Sequence, residues 1–174
     1  MKRNFESTFE YKLIYVFRIN DGNHNGCLKI GDATIKTNKQ YLELTPNCHE
    51  LNYAARERID KYTSTAGIVY DLLYTEVAVF QDTNKNSKNY GKILAFRDYK
   101  VHEVLKRSDI QVKYFDTNKT QNEWFVTDLQ TVKNAIMAVK NSKSSLTVDE
   151  VTNNLNPIKF RPEQREAIDK TIQR

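Results

Sequence analysis

The sequence predicts an α+β domain in which a small, mainly antiparallel sheet of three strands is flanked by helices, with further helices toward the C-terminal end. Three segments, at 11–19, 27–31 and 69–80, have the apolar, aromatic and β-branched composition of strands. Segments between and after them place apolar residues at the spacing of amphipathic helices. With 174 residues, the chain has the length for one domain with appended helices.

The strand segments come early in the chain. Segments 11–19 (YKLIYVFRI) and 27–31 (CLKIG) are separated by a polar stretch that contains Gly, which predicts a β-hairpin with a loop longer than a tight turn. Segment 69–80 predicts the third strand. Segment 93–96 fits either a short strand or the entry to a helix, and segment 112–116 (VKYFD) is strand-like.

Three helices are predicted between and after the strands. The first covers 49–62 and the second roughly 97–106. The third follows a capping-box pattern of Thr127 and Gln130. Its inward stripe consists of Leu129, Val132, Ile136 and Val139.

Charge and hydropathy limit the class of protein. Lys and Arg outnumber Asp and Glu by 27 to 22, and the net charge of +5 permits a polyanionic partner without requiring one. No segment approaches the roughly 18 apolar residues that a helix needs to cross a bilayer, and the first residues lack the apolar stretch of a signal peptide. We therefore expect a cytoplasmic protein with no membrane partner, in which Cys27 and Cys48 are reduced thiols.

Five short features follow one another in an order typical of one nuclease superfamily. The first strand carries IYV at 14–16 and the second carries KIG at 29–31, and Arg58 opens the sequence RIDKYTSTAG. Asp98 and His102 lie four residues apart on one helix face, and EWF follows at 123–125. This ordered set, spanning about 11–139, resembles the GIY-YIG nucleases, above all their phage and restriction-system branch, where the second motif commonly reads KIG.

The resemblance implies hydrolysis of a DNA phosphodiester with one Mg²⁺ or Mn²⁺ ion. Tyr15 would help to activate the attacking water, Arg58 would neutralise charge on the phosphate, and Asp98 would hold the metal. A fixed guanidinium and a hard cation on oxygen ligands are expected stabilisers of such a transition state. DNA is then the expected partner.

The resemblance gives further roles to residues around these three. His102 would be a general base or an orienting group, and Lys29 would be a second contact to the phosphate. Arg56 competes with Arg58 for the role of the phosphate-binding arginine. The oligomeric state and the target sequence are not indicated by any of these motifs.

Three positions depart from the family pattern. Leu13 stands where the first motif has Gly, Lys29 stands where the second has Tyr, and Asp98 is one methylene shorter than the family's Glu. The departures leave a second function open, a catalytically inactive DNA-recognition or interaction module on the same scaffold. A small regulatory protein with no role on nucleic acid is a third candidate.

The candidate residues also have purely structural interpretations. Tyr15 fits a half-buried core tyrosine, and Asp98 with His102 fits an ordinary contact between helix positions i and i+4. Trp124 and Phe125 are expected to be core anchors rather than base-stacking residues.

A zinc site is a further alternative. His24, Cys27, Cys48 and His49 are residue types that bind zinc, and His24 and Cys27 have a suitable gap. Cys48 and His49 are adjacent, however, which makes it hard for both to reach one tetrahedral ion.

The C-terminal segment carries a second resemblance. FRPEQREAID at 160–169 resembles the adenine-reading Q motif of superfamily 2 helicases, in which Gln164 would contact ATP. No phosphate-binding loop follows it, so ATP is expected as a ligand only where the rest of the motor is present. The plain alternative is an amphipathic helix. We therefore expect a nuclease domain at 1–140, a linker with a short helix at 141–157 and the truncated start of a helicase domain at 158–174, as in a nuclease-helicase protein of a restriction or defence system.

Overall fold

A computed structural model describes residues 8–115, 117, 119 and 123–151. The described strands are β1 (Phe9–Arg18), β2 (Cys27–Thr37), β3 (Asp71–Val77), β4 (Val79–Gln81), β5 (Ile93–Ala95) and β6 (Trp124–Val126). The described α-helices are α1 (His49–Thr63), α2 (Asp98–Arg107) and α3 (Leu129–Lys140). All three predicted helices are confirmed, with ends that differ from the prediction by about two residues at most.

The main sheet has four antiparallel strands in the order β3-β1-β2-β6, and β4 pairs with β5 separately. The α+β class is therefore confirmed, whereas the predicted count of three strands is wrong. The additional strand, β6, has three residues, too few to show the alternating pattern by which a strand is recognised in a sequence. Within the segment 112–116, which the sequence predicts to be strand-like, Val112 forms an isolated β-bridge to Phe125.

The third predicted strand is interrupted at Ala78. The N–H group of Ala78 donates to the carbonyl of Lys12 in β1, at 2.7 Å, and its carbonyl accepts from the N–H group of Phe96, at 3.1 Å. The chain leaves the main sheet at this residue, so that segment 69–80 contains both β3 and β4. Segment 93–96, for which the sequence allowed a strand or a helix, contains the strand β5.

The pleat of β1 and β2 divides the main sheet into two faces. Tyr15 lies opposite Gly31 in the neighbouring strand, and Ile14 lies opposite Asp32. Directly opposed residues of antiparallel strands share a face. Tyr15 and Gly31 therefore face α1, whereas Ile14 and Asp32 face the side of α2 and α3.

A separate hydrophobic core lies on each face. The core beneath α1 contains Leu13, Phe17, Leu51, Ala55 and Ile59, each at most 1% exposed. The core beneath α2 and α3 contains Ile14, Val16, Ile30, Val101, Leu105, Phe125, Val132 and Ile136, each fully buried. The inward stripe predicted for α3 is confirmed, because its other two members, Leu129 and Val139, pack partly buried against the second core.

The start of α3 differs from its predicted capping box. The N-cap residue is Asp128, whose Oδ1 accepts a hydrogen bond from the N–H group of Thr131 at 2.7 Å. A carboxylate at this position satisfies a free N–H group and complements the positive end of the helix. Thr127, predicted as the cap, is 4% exposed, and its hydroxyl has no hydrogen-bond partner among the residues that the structure describes.

A short 3₁₀ helix, Val148–Glu150, follows the connection after α3. Glu150 accepts a hydrogen bond from the N–H group of Thr147 at 3.0 Å, so a capped helical turn lies within the segment 141–157 that the sequence predicts to be a linker with a short helix. The helicase-like segment 158–174, including Gln164, lies outside the described residues. Across the described part of the chain, no helix combines the length and the apolar character that crossing a membrane requires.

Candidate functional site

Two tyrosine hydroxyl groups meet between the sheet and α1. The hydroxyl oxygens of Tyr15, in β1, and Tyr62, in the last turn of α1, are 3.2 Å apart. Tyr15 is 3% exposed and Tyr62 is 36% exposed, so the pair leads from the interior to the surface. Burial raises the pKa of both phenols, and both therefore stay protonated at neutral pH.

Gly31 makes room for the ring of Tyr15. A Cβ atom on Gly31 would lie 2.4 Å from the Tyr15 hydroxyl oxygen and 2.5 Å from its Cζ atom. A glycine inside a strand often marks such a close approach. The glycine of the KIG sequence therefore allows the phenol of β1 to reach across to β2.

The outer edge of β2 is covered over part of its length. Strand β6 pairs with β2 at Cys27, Leu28 and Lys29, and the N–H group of Ile30 then donates to the carbonyl of Glu123 at 3.1 Å. Beyond Ile30, no described strand pairs with this edge. The candidate site lies at the point where the pairing stops.

Three charged groups lie within electrostatic reach of the Tyr15 phenol. Besides burial and the hydrogen bond between Tyr15 and Tyr62, the charges of Glu123, Arg58 and Asp98 act on the pKa of Tyr15. Arg58 precedes Tyr62 by four residues, so the two side chains share one face of α1. The predicted residues Arg58 and Asp98, from two other elements, are thus near enough for their charges to act on Tyr15.

The two candidate arginines of α1 point to different places. Arg58 lines a groove of about 340 Å³, whereas the guanidinium carbon of Arg56 lies 5.9 Å from the centre of the Tyr70 ring. The groove takes its four cations from β1, from α1 and from the residue that precedes α2. Its lining residues are Lys12, Asp32, Ala33, Thr34, Ala54, Glu57, Arg58, Lys61 and Arg97. Four cationic and two anionic side chains in one groove give it an excess of positive charge.

Lys29 lies on the same face of β2 as Gly31. Its ammonium nitrogen is 4.4 Å from the centre of the Tyr62 ring and 3.3 Å from the carboxylate of Glu123. The side chain is 16% exposed, so the aromatic ring and the carboxylate hold the ammonium group beside the hydroxyl pair. Lys29 therefore occupies a position from which it can contact an anion at the site.

Asp98 begins α2, and its N–H group donates to the carboxylate of Asp32 at 3.2 Å. The guanidinium of Arg97 also donates to Asp32, at 2.9 Å. Although burial opposes the change, the hydrogen bonds from Arg97 and Asp98 lower the pKa of Asp32. Burial and the neighbouring charge of Asp32 raise the pKa of Asp98 to about 6.

The two carboxylates fit a hard divalent cation. Mg²⁺ prefers oxygen ligands and keeps several waters, so one or two carboxylates can hold it. The raised pKa of Asp98 comes partly from the charge of Asp32, a repulsion that a cation would relieve. Among the described residues there is no group of three or more His, Cys, Asp or Glu side chains arranged for a metal.

His102 lies inside the protein, 6% exposed, with its Nε2 atom 2.8 Å from the carbonyl oxygen of Ile30. Burial lowers the pKa of the imidazole, so the neutral ring donates through Nε2 to the carbonyl, which can only accept. Its ring also packs against Phe125, at 5.3 Å between centres. This placement favours a role in fixing α2 on β2, and the catalytic role of His102 stays a prediction.

Two residues of the site were not among the sequence-predicted candidates. Tyr62 carried a usable signal, because it follows Arg58 by one helical turn on the apolar side of α1. Asp32 directly follows the KIG sequence, but its contact with Asp98 depends on how α2 docks on β2. Nothing in the sequence indicates that docking.

The aromatic residues of the EWF sequence and two of the candidate zinc ligands make structural contacts. Trp124 and Phe125 are 6% and 0% exposed, which confirms that they are core anchors. His24 pairs through Nδ1 with Asp21 at 2.7 Å, and the Cys27 thiol points to a backbone carbonyl in the same loop. Gln164 is not among the described residues.

The fold and the site define a small α+β domain with a phenol pair, an acidic pair and a basic groove at one edge of a sheet. Comparison of the chain with protein-family models, with curated proteins and with solved structures found no match.

Proposed function

We propose that this chain acts as a divalent-metal-dependent DNA endonuclease domain that hydrolyses phosphodiester bonds. The observation that carries the proposal is the Tyr15–Tyr62 hydroxyl pair, which lies within electrostatic reach of Arg58 and Asp98 from separate elements of the chain. A core tyrosine needs one hydrogen-bond partner, and nothing in packing alone requires an arginine and an acid beside it.

The phosphate is the expected ligand of the basic side chains. Arg58 lines the groove together with Lys12, Lys61 and Arg97, and Lys29 lies beside Tyr62. A guanidinium can form two parallel hydrogen bonds to phosphate oxygens. In this proposal Arg58 binds the phosphate that is cleaved, while the other cations bind neighbouring phosphates of the same strand.

In this proposal the hydroxyl pair of Tyr15 and Tyr62 transfers a proton from the attacking water to solvent. The Tyr15 phenol is protonated at neutral pH, so it can accept the proton of the water only while it gives its own proton to Tyr62. The Tyr62 hydroxyl in turn releases a proton to solvent. The water oxygen forms a bond to phosphorus as the bond from phosphorus to the leaving oxygen breaks. The leaving oxygen takes a proton from solvent, so protons and electrons balance.

Asp98, with Asp32 beside it, would hold the Mg²⁺ or Mn²⁺ ion. When bound, such an ion stabilises negative charge on the phosphate and lowers the pKa of a bound water. Arg97 keeps the carboxylate of Asp32 in place through its hydrogen bond of 2.9 Å. The resemblance of segment 160–169 to a helicase motif supports the wider proposal that the domain belongs to a nuclease-helicase protein of a restriction or defence system, where Gln164 would contact ATP.

The direct test is cleavage of plasmid and short duplex DNA with Mg²⁺ and with Mn²⁺, together with Mn²⁺ binding measured by electron paramagnetic resonance. Asp98→Ala should abolish both cleavage and Mn²⁺ binding. Tyr15→Phe should lower cleavage by about 100-fold while Mn²⁺ still binds, because it removes a proton-transfer group. The controls are Asp149→Ala and Tyr53→Phe, which change exposed residues of the same types. Equal cleavage by all five proteins would reject the proposal.

A second candidate function is a catalytically inactive DNA-recognition or interaction module. It is favoured by the existing partner of one key group, since the ammonium group of Lys29 is already paired with the carboxylate of Glu123. DNA binding with a steep salt dependence, but without cleavage in either metal, would support this candidate.

A further inference from the structure

An exposed pair of aromatic rings lies on the segment that leads toward β6. Tyr114 is 37% exposed and Phe115 is 40% exposed. The ammonium nitrogen of Lys113 is 6.0 Å from the centre of the Phe115 ring, and that of Lys119 is 5.7 Å from the centre of the Tyr114 ring. We call these four residues the aromatic ledge.

The ring of Phe115 is held in a fixed orientation although much of it is exposed. It stacks on the imidazole of His24, with 4.4 Å between centres and 30° between planes. Its edge contact with Trp124 has 5.5 Å between centres and 76° between planes. A ring supported on one side and open on another is a preformed stacking surface.

A continuous series of ring contacts joins the aromatic ledge to the candidate site. From Phe115 the series runs through Trp124 to Phe17, whose ring centre is 5.6 Å from that of Trp124. Phe17 then packs against Tyr62, at 6.5 Å. Trp124 also lies directly opposite Lys29 in the pairing of β6 with β2. The ledge is therefore anchored to the same element that positions the ammonium group of the site.

Exposed aromatic faces bordered by lysines have the chemistry that binds single-stranded nucleic acid. The flat faces of unpaired bases stack on aromatic rings, while the cations contact the phosphates between them. The bases of an intact duplex offer no free face, because each is stacked on its neighbours. We propose that the aromatic ledge stacks an unpaired base of the DNA next to the phosphate at the candidate site, so that the preferred substrate contains unpaired nucleotides. This inference rests on the proposed function, which supplies the DNA and the cleaved phosphate.

The test compares two oligonucleotides of equal length, oligodeoxythymidine and an abasic strand with the same number of phosphates. Binding is measured by fluorescence anisotropy without divalent metal, so no cleavage is needed. The fluorescence of Trp124, the one tryptophan of the chain, gives a second signal because Phe115 lies against it. The wild-type chain should bind the thymidine strand roughly tenfold more tightly than the abasic strand, as expected for one stacked base.

Three variants separate base stacking on the aromatic ledge from electrostatic attraction between the chain and the phosphates. Phe115→Leu keeps an apolar side chain beside Trp124 but removes the flat ring, and Tyr114→Ala removes the second exposed ring. Either variant should reduce the preference for the thymidine strand several-fold. Tyr90→Ser, which changes a 54% exposed tyrosine in the β4–β5 loop, should retain the preference. Circular dichroism establishes that each variant is folded.

Two results would overturn the inference. One is equal binding of both strands by the wild-type chain, and the other is an unchanged preference in both ledge variants, which would leave the rings free for a protein partner. Failure of the proposed function has a different signature. In that case the base preference depends on the ledge, as expected, yet no metal supports cleavage of DNA with unpaired nucleotides.

Discussion

The ring of Tyr15 lies against the backbone of Gly31, its partner in the neighbouring strand, with no space for a methyl group between them. A Cβ atom at residue 31 would be 2.4 Å from the Tyr15 hydroxyl oxygen, well inside van der Waals contact. The position of the phenol therefore depends on the absence of a side chain on β2. The small residue of the second motif and the tyrosine of the first act as one unit.

We predict that Gly31→Ala displaces the Tyr15 ring and breaks its hydrogen bond to Tyr62. Overpacking of this kind should lower the free energy of unfolding by about 1–3 kcal/mol, measured by urea denaturation. Cleavage should fall with the loss of the hydroxyl pair. Gly22→Ala is the matched control, because no atom lies within 4 Å of the Cβ position there. Equal stability of the two variants would contradict the described packing.

We predict that Tyr62→Phe lowers cleavage by about 100-fold, because the proton of Tyr15 then has no acceptor. The variant keeps the ring on which Lys29 and Phe17 pack, so its stability should stay close to that of the wild type. Single-turnover cleavage and urea denaturation measure the two effects. Tyr53→Phe, on the same helix and 59% exposed, should match the wild type in both. Unchanged cleavage by Tyr62→Phe would eliminate the proton path through the pair.

We predict that Thr127→Val and Thr75→Val have opposite effects on stability. The buried hydroxyl of Thr127 has no hydrogen-bond partner among the described residues, so its removal should raise the free energy of unfolding by about 1 kcal/mol. The buried hydroxyl of Thr75 donates to the side-chain oxygen of Asn52 at 2.6 Å. Its removal should cost about 1–2 kcal/mol. Destabilisation by both substitutions would indicate that Thr127 has a partner, such as an ordered water.

We predict that His102 makes the folded chain less stable at mildly acidic pH. Burial places its pKa in the folded state below the ordinary value of about 6.5, which the unfolded chain keeps. At lower pH the unfolded state binds the proton first, so the contribution of His102 is complete above about pH 6.5 and declines as the pH falls toward its folded pKa. In His102→Gln this part of the pH dependence should disappear from urea denaturation series. Parallel curves for the two proteins would contradict the prediction.

Much of the fold follows from period and composition. The helix α1 was predicted within one residue at its C-terminal end because Leu51, Ala55 and Ile59 mark its buried face over several turns. The strand β6 was not predicted as a strand because its three residues pair only where β2 is already in place. The local sequence therefore indicates a helix through its period, but it does not indicate a short strand that depends on pairing with a distant segment.

The candidate site likewise contains residues that the sequence predicts and residues that only the tertiary structure reveals. Tyr15, Arg58 and Asp98 could be selected from motif order, and in the structure the charges of Arg58 and Asp98 act on the Tyr15 phenol. Asp32 could not be selected, because its partner Asp98 is distant in sequence and meets it only through the docking of α2. Tyr62 could have been noticed one helical turn after Arg58, but the role of its hydroxyl becomes clear only when its distance to Tyr15 is known.

The two halves of the site depend on different hydrophobic layers. Tyr15, Tyr62 and Arg58 are positioned by the core beneath α1, whereas Asp98 stands on α2, which closes the other core, and the two cores have no buried residue in common. A local opening of either layer would separate the phenols from the carboxylates while the other layer stays intact. Catalytic competence is therefore expected to disappear at a lower temperature than the bulk of the helical signal, and the domain would become inactive before it unfolds.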